Sequence, residues 1–158
     1  MSIEKTTVMR ILEATGIAYK YFEYGSGQAT NGEEVARLLG KYPQTVFKTL
    51  VTVGKSGKHY VFMLPVAEEL DLKKAALAAG EKSIEMIKSK ELLPLTGYVH
   101  GGCSPIGMRK TFPTFIDETA LLFDTITFSA GKVGIQVEMP LSSLQQLISI
   151  IPADLSQV

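Results

Sequence analysis

The sequence predicts a single α+β domain, because its strand-like and helix-like segments do not alternate strictly along the chain. Strict alternation is typical of a doubly wound parallel sheet, which is therefore not expected. The chain has 158 residues, of which 46% are apolar and 20% charged, a composition that suits one compact domain with one core. We found no internal repeat, low-complexity tract or long linker in it.

The first half of the chain predicts two helices, a strand and a β-hairpin. The helices have apolar residues at helical spacing and end at a glycine, whereas the strands alternate or are rich in β-branched residues. In chain order these elements are a helix over Thr7–Thr15, a strand over Ala18–Tyr24, a short helix capped by Thr30 or Asn31 and stopped by Gly40, and a hairpin of Thr45–Val53 and His59–Leu64.

The second half predicts three strands between helical segments. Asp71 is a good cap for the first of these helices, and Gly80 ends it. In chain order the elements are a helix over Asp71–Ala79, one or two short helical pieces within Ser83–Leu93, strands over Thr114–Ile116, Thr125–Ser129 and Val133–Glu138, and a closing amphipathic helix over Leu141–Ile150 with Leu144, Leu147 and Ile148 inward.

Charge and composition exclude several classes of protein. No apolar run approaches the roughly 20 residues that span a bilayer, and one cysteine excludes an internal disulfide and a Cys-rich zinc site. The N-terminus lacks the basic-then-apolar order of a signal peptide, so a cytoplasmic location is expected.

The charges are unevenly distributed along the chain. The net charge is zero, but residues 41–110 hold 11 Lys/Arg and 6 Asp/Glu, a balance of +5. This basic middle fits either a phosphate backbone or, as charge alone favours, a solvated lysine surface.

The most unusual segment is the glycine-rich stretch at 97–110. Its centre reads Gly101-Gly102-Cys103-Ser104-Pro105-Ile106-Gly107. Glycines let the backbone approach a ligand closely, and successive N–H groups form a nest for an anionic or carbonyl oxygen. The segment is neither a dinucleotide fingerprint nor a P-loop. By these features alone a tight surface loop remains the favoured interpretation, with a ligand-binding loop as the alternative.

A lysine in the first strand of the hairpin is the second unusual feature. In a strand, Lys48 shares a face with Val46 and Leu50. A lysine on an apolar face must reach water or meet a partner, and a phosphate is a suitable one. A strand-edge lysine that reaches water is the equally weighted alternative.

Together these two features are similar to a known family. Lys48 after Val-Phe, followed by a Gly-Gly-x-Ser-Pro-x-Gly loop at 101–107, resembles the YbaK/EbsC aminoacyl-tRNA deacylases, which include the editing domain of proline-tRNA synthetase. The resemblance continues through Leu70–Lys74, Pro113–Asp117 and Ser129–Lys132. It implies a single domain over residues 1–158, with a mixed β-sheet or barrel-like core flanked by helices.

The resemblance also implies roles for individual residues. Lys48 would contact the terminal phosphate or ribose of the tRNA, and Gly101 and Gly102 would donate backbone N–H groups to the ester carbonyl. The remaining implied positions line the substrate or shape its site: Ser104, Pro105, Gly107, Ser129, Gly131 and Asp117. Asp117 is equally consistent with a purely structural role. No cofactor and no metal are implied.

The sequence contains no recognisable catalytic triad, which fits chemistry assisted by the substrate. Only His59 and His100 are histidines, and neither has a triad setting. In the cysteine-specific branch of the family, the thiol of the substrate attacks its own ester. Cys103 is a rival nucleophile, but it occupies the variable loop position, where buried filler is the favoured interpretation.

The implied substrate is the 3′ end of Cys-tRNA(Pro), and of Cys-tRNA(Cys) as an extension, with proline-tRNA synthetase as a candidate partner and no role for DNA or membrane. Two residues depart from the family pattern. Gln136 replaces a frequent acid, and Asn31 lies where some relatives have an aromatic residue. Two alternatives therefore stay open: a deacylase for another small amino acid such as alanine, and a non-catalytic aminoacyl-tRNA-binding or regulatory protein.

Overall fold

A computed structural model describes residues 4–25, 27, 29 and 31–157. Five α-helices and eight strands lie within these residues. The helices are α1 Thr7–Ala14, α2 Gly32–Leu38, α3 Leu72–Ala79, α4 Ser89–Thr96 and α5 Leu141–Leu147. The strands are β1 Lys20–Glu23, β2 Phe47–Gly54, β3 His59–Pro65, β4 Ile84–Met86, β5 Thr114–Asp117, β6 Ile126–Lys132, β7 Ile135–Met139 and β8 Ile150–Ala153.

The strands form two sheets, which confirms the predicted α+β class. One sheet is antiparallel, with the strand order β1-β7-β6, and the other is mixed, with the order β4-β2-β3-β5-β8. In the described part of the chain the sheets do not close into a barrel. Within these residues the backbones of the two sheets are joined by an isolated parallel bridge between Val46, next to β2, and Thr127 in β6.

The main core lies between the two sheets. It joins Phe47 and Met63 of the mixed sheet to Phe128 and Val137 of the antiparallel sheet, and all four are 2% exposed or less. Helices α1 and α5 pack against the same core. Because side chains alternate along a strand, the residues next to these in sequence point away from it.

A second core covers the outer face of the mixed sheet. Phe62 and Phe115 stack there with ring centroids 5.4 Å apart, and Ala75 and Ala76 of α3 pack against them. Helix α3 has the predicted cap, since the carboxylate of Asp71 accepts hydrogen bonds from two backbone N–H groups in the first turn. Asn31 caps α2, since its side-chain oxygen accepts a hydrogen bond from the Glu34 N–H, whereas Thr30 lies outside the described residues.

Two of the predicted helical segments are partly strand. Ile84–Met86 forms β4 on the edge of β2, because tertiary burial of Ile84 decides a segment too short to show a period. The closing helix ends at Leu147, and β8 follows in parallel to β5. The sequence did not predict this strand because Pro152 lies in it, and proline is tolerated mainly in edge strands such as this one.

Asp117 joins β5 to the C-terminal segment. One carboxylate oxygen accepts a hydrogen bond from the Leu155 N–H at 3.0 Å, and the other accepts from the Thr119 hydroxyl at 2.7 Å and from its N–H at 3.3 Å. Asp117 is 2% exposed. Both oxygens of its carboxylate therefore accept hydrogen bonds that maintain the structure. A structural role is one of the two roles that the sequence allows for Asp117.

We expect Asp117→Ala to lower the free energy of unfolding by about 2–3 kcal/mol, because it leaves a buried N–H without an acceptor. Urea denaturation of the purified protein measures this change in stability. Asp124→Ala removes an exposed carboxylate from the same region of the chain and should change stability by less than about 0.5 kcal/mol. Equal stability of the two variants would contradict this role of Asp117.

Candidate functional site

The candidate site lies where the two sheets meet. Val46 and Thr127 form the parallel bridge, and two residues further along each strand stand Lys48 and Ser129. Side chains two residues apart share a face. Lys48 and Ser129 therefore project to the same side, away from the main core. We call this junction, with Val46, Lys48, Thr127 and Ser129, the seam.

Lys48 stands in an apolar setting at the seam, as its strand position predicted. Its directly paired residue on β3 is Leu64, which is fully buried, and Leu50 follows on the same face. The ammonium group has one acidic neighbour, Glu69, with Nζ and Oε1 4.0 Å apart. The Lys48 side chain is 26% exposed and that of Glu69 is 76% exposed. The cation is thus held near an apolar surface by a loose, solvated ion pair.

A row of three residues crosses the antiparallel sheet beside Lys48. Gln136 pairs with Ser129 on one side and with Phe22 on the other, so all three side chains share one face. Ser129 and Gln136 are buried. The Lys41 ammonium lies over the ring of Phe22, with Nζ 4.1 Å from the ring centroid. The sequence indicates Ser129 and Gln136, but no local pattern reveals that Phe22 joins them.

The end of β6 bends immediately after Ser129. The register shifts between Ser129 and Lys132, which marks a bulge, and the Ser129 hydroxyl accepts a hydrogen bond from the Gly131 N–H at 3.1 Å. Gly131 has φ +90°, a conformation that favours glycine. Ser129 and Gly131 are therefore coupled, and Ser129 shapes the wall of the site through this bulge.

The glycine loop packs against the turn that follows this bulge. A Cβ atom on Gly102 would lie 3.1 Å from the Val133 backbone nitrogen, so only glycine fits this approach comfortably. The Gly102 N–H donates to the Val99 carbonyl at 3.0 Å and belongs to a turn. Gly101 is exposed with φ +86°, and its N–H has no acceptor in the described part of the chain. The two glycines were expected to act alike, but only Gly101 has a free donor.

Tyr98 holds the loop in place, although the loop motif does not include it. Its hydroxyl donates to the Ile106 carbonyl at 2.5 Å, and its ring lies so close to Gly131 that a Cβ there would be 3.0 Å from Cε1. A Cβ on Gly107 would lie 2.8 Å from the same hydroxyl. Burial raises the pKa of Tyr98 to about 12, so the hydroxyl stays a donor. In the sequence, the only indication of this role is that an aromatic residue stands next to a run of glycines.

Ser104 and Pro105 lie inside the loop rather than on its surface. Both are buried, and the Ser104 hydroxyl accepts a hydrogen bond from the Ile106 N–H at 3.4 Å. The Ser104 side chain is fully enclosed. These buried positions can shape the loop, and the Ser104 hydroxyl is not accessible to a ligand in this conformation.

The cysteine of the loop faces the main core. Cys103 is 8% exposed, and burial raises its pKa to about 12, with a weaker opposing effect from a hydrogen bond to Thr96. A thiol with a raised pKa remains protonated at neutral pH and is a poor nucleophile. His100 is exposed, and His59 lies at the start of β3, edge-on to Phe112. Neither histidine belongs to the strand segments that form the seam.

The structure therefore brings together Lys48, Ser129 and Gln136, with Gly131 and Gly101 to Gly102 reached through the bulge and its turn. Asp117 stands apart, on a strand separated from β2 by β3.

Within the described ranges, no group of three or more His, Cys, Asp or Glu residues could hold a metal ion. Among the helices of these ranges, none is long and apolar enough to cross a membrane.

Comparisons with known proteins identify the family of the chain. A model of the aminoacyl-tRNA editing domain matches residues 27–147, a range that includes Lys48, the glycine loop and the Ser129 bulge. The chain is 46% identical over 137 residues to an Enterococcus faecalis protein provisionally named Cys-tRNA(Pro)/Cys-tRNA(Cys) deacylase EbsC, covering 86% of this chain and 84% of that protein.

A solved structure described, also provisionally, as a trans-editing enzyme for prolyl-tRNA synthetase has a TM-score of 0.85 and 26% identity, covering 99% of this chain and all of its own. The sequence similarity and the shared fold thus extend over nearly the whole chain. The chain belongs to the aminoacyl-tRNA editing domain family.

Proposed function

We propose that this protein removes cysteine from mischarged tRNA(Pro), and from tRNA(Cys) as a second substrate. The observation that carries the proposal is the seam, where one lysine in an apolar setting lies on the same side as Ser129, and where the bulge after Ser129 leads to the turn that contacts the glycine loop. The identity to EbsC supports the choice of cysteine. The aminoacylated 3′ end of the tRNA is the ligand, and no cofactor takes part.

In this proposal the substrate supplies the nucleophile. The cysteine thiol loses its proton, and its sulfur attacks the ester carbonyl carbon. The bond to the terminal ribose oxygen breaks, that oxygen takes up a proton, and a cyclic thiolactone leaves with free tRNA. Holding the sulfur close to the carbonyl carbon can lower the activation free energy by several kcal/mol, up to roughly 7–11 kcal/mol in the best cases. The protein then needs only to position the substrate and to stabilise the negative charge that develops on the carbonyl oxygen.

The site residues divide these tasks. Lys48 binds the terminal phosphate or ribose, and the free N–H of Gly101 donates to the carbonyl oxygen as negative charge develops on it. Gly102 permits the close approach of loop and turn. Ser129 and Gly131 form the opposite wall.

The other implied residues act indirectly in this proposal. Ser104, Pro105 and Gly107 maintain the loop around Tyr98. Asp117 maintains the end of β5, two strands away from Lys48. Substitutions of these residues are then expected to act through stability and loop shape.

The departure at Gln136 leaves one alternative substrate class open. A neutral amide can hydrogen-bond to the ammonium group of an aminoacyl ester, but it provides no opposite charge. The alternative is a deacylase for another small amino acid, such as alanine, acting through activated water. Incubation of the purified protein with Cys-, Ala-, Pro- and Ser-tRNA distinguishes the two, since only Cys-tRNA carries an internal thiol. Binding of all four without turnover would support a non-catalytic role.

Selection of tRNA(Pro) requires interactions beyond a pocket for the 3′ end. We propose that proline-tRNA synthetase, working in the cytoplasm, presents the mischarged tRNA to this protein. Addition of the synthetase should raise the rate on Cys-tRNA(Pro) more than the rate on Cys-tRNA(Cys). Equal effects on both tRNAs would contradict the partnership.

Lys48→Ala should lower kcat/KM for Cys-tRNA by tens to several hundred-fold, because a lysine–phosphate interaction in a partly desolvated site contributes roughly 2–4 kcal/mol. Lys58→Ala removes an exposed lysine from the same hairpin and serves as the matched control. Glu69→Gln tests whether the loose ion pair alone positions the cation. A Lys48→Ala protein that is folded and fully active would remove Lys48 from the site.

Gly101→Ala should lower the rate by about 10²–10³-fold, because a side chain at φ +86° forces the loop to move and displaces its donor. Gly102→Ala should also lower it, because the turn at Val133 must shift. Gly16→Ala is the matched control, since Gly16 has φ +72° and open space around it. If all three variants are destabilised equally and keep parental kinetics, the loop is not part of the site.

Cys103→Ala should keep its rate within about threefold of the parent, since the attacking thiol belongs to the substrate. The rate should rise as the pH approaches about 8.5, the pKa of an ordinary free thiol. Cys103, whose pKa burial raises to about 12, stays protonated over this range and cannot cause the rise. Deacylation of S-blocked Cys-tRNA at the normal rate would instead indicate activated water.

A further inference from the structure

We propose that a basic cleft beside the candidate site binds a phosphate of the tRNA acceptor end upstream of the terminal adenosine. This inference rests on the proposed function and extends the substrate-binding surface beyond the seam. The cleft has a volume of about 300 Å³ and opens to solvent between the start of α1 and the β6–β7 turn. That volume is near the lower end of ligand pockets in proteins, about 300–1,000 Å³, so it suits one phosphate group with its sugar.

Positive charge dominates the lining of this cleft. Its charged residues are Lys5, Arg10, Lys132 and Glu4, three cations against one acid. Lys5 already pairs with the exposed Glu13, with Nζ and Oε1 2.5 Å apart. Arg10 and Lys132 form no ion pair within the described part of the chain. Two cations therefore remain available, and the hydroxyl-bearing Thr7 adds a neutral donor.

The cleft adjoins the bulge and the turn that border the candidate site. Gly131, which lines the cleft, donates its N–H to the Ser129 hydroxyl. Lys132 also lines it, and its carbonyl carbon would lie 3.3 Å from a Cβ on Gly102. The cleft is therefore next to the segment that carries both Ser129 and the turn against which the glycine loop packs.

The chemistry of the cleft favours RNA backbone over other ligands. Exposed lysine and arginine groups bind phosphates through local ion pairs and release counterions, without reading the base. The cleft presents no aromatic side chain and no apolar floor among its lining residues in the described part of the chain. A nucleotide phosphate is thus a better match than a base or an apolar peptide.

The test compares a full substrate with one that lacks phosphates. Arg10→Ala and Lys132→Ala should each raise KM for Cys-tRNA roughly threefold, and the double variant about tenfold, as expected for exposed ion pairs. The slope of log(kcat/KM) against log salt should become shallower by about 0.7 for each phosphate that the variant no longer neutralises. The KM for cysteinyl-adenosine, which has no phosphate, should rise less than twofold in the same proteins. Arg10→Lys should restore most of the affinity, whereas Lys73→Ala, which removes an exposed lysine on α3, should change neither value.

Equal increases in KM for Cys-tRNA and cysteinyl-adenosine would overturn the proposal, because they would indicate damage to the site itself. An unchanged salt slope in the double variant would overturn it as well. A binding readout separates this proposal from the catalytic one. Binding of an uncharged RNA hairpin ending in CCA, measured by fluorescence anisotropy, should weaken about tenfold in the double variant even if the protein deacylates nothing. Unchanged binding of that hairpin would refute the cleft while leaving the deacylase proposal intact.

Discussion

The arrangement of the site depends on the junction between two sheets at Val46 and Thr127. Both sheets bury their inner faces on one core, which forces β2 and β6 together along one edge. The alternation of side chains then places Lys48 and Ser129 on the same outer side. A one-residue slip of either strand would turn its polar residue into the core. The hydrophobic pattern that buries the strand residues next to Lys48 and Ser129 is thus the same constraint that positions the polar groups.

The glycine loop depends on a second constraint, the burial of Tyr98. Its hydroxyl donates a hydrogen bond to the Ile106 carbonyl. The hydroxyl has room because Gly107 has no side chain, and the ring has room because Gly131 has none. Those glycines are therefore required for packing, in contrast to the exposed Gly101, whose N–H is free within the described part of the chain. One short segment thus combines residues that maintain the shape of the loop with a residue whose donor is available for chemistry.

The electrostatics of the site fit a protein that positions its substrate and supplies no nucleophile. Burial keeps the thiol of Cys103 and the hydroxyl of Tyr98 protonated. The cation of Lys48 stands close to an apolar surface with a loose partner, so an incoming phosphate or ribose competes mainly with water. The proposed path for the tRNA then runs from this lysine past the bulge to the cations beside α1. Those cations lie outside the basic middle of the chain.

The sequence by itself determined the α+β class, most of the elements, and the residues that carry the family resemblance. Local signals were sufficient there, since caps, glycine stops and hairpin periodicity act within a few residues. Only the tertiary structure decided that Ile84 and Pro152 belong to edge strands, because pairing with distant strands stabilises both. It also decided that Phe22 joins Gln136 and Ser129, and that Arg10 and Lys132 line one cleft. These groups are far apart in sequence, and strand register and packing, which no local pattern encodes, bring them together.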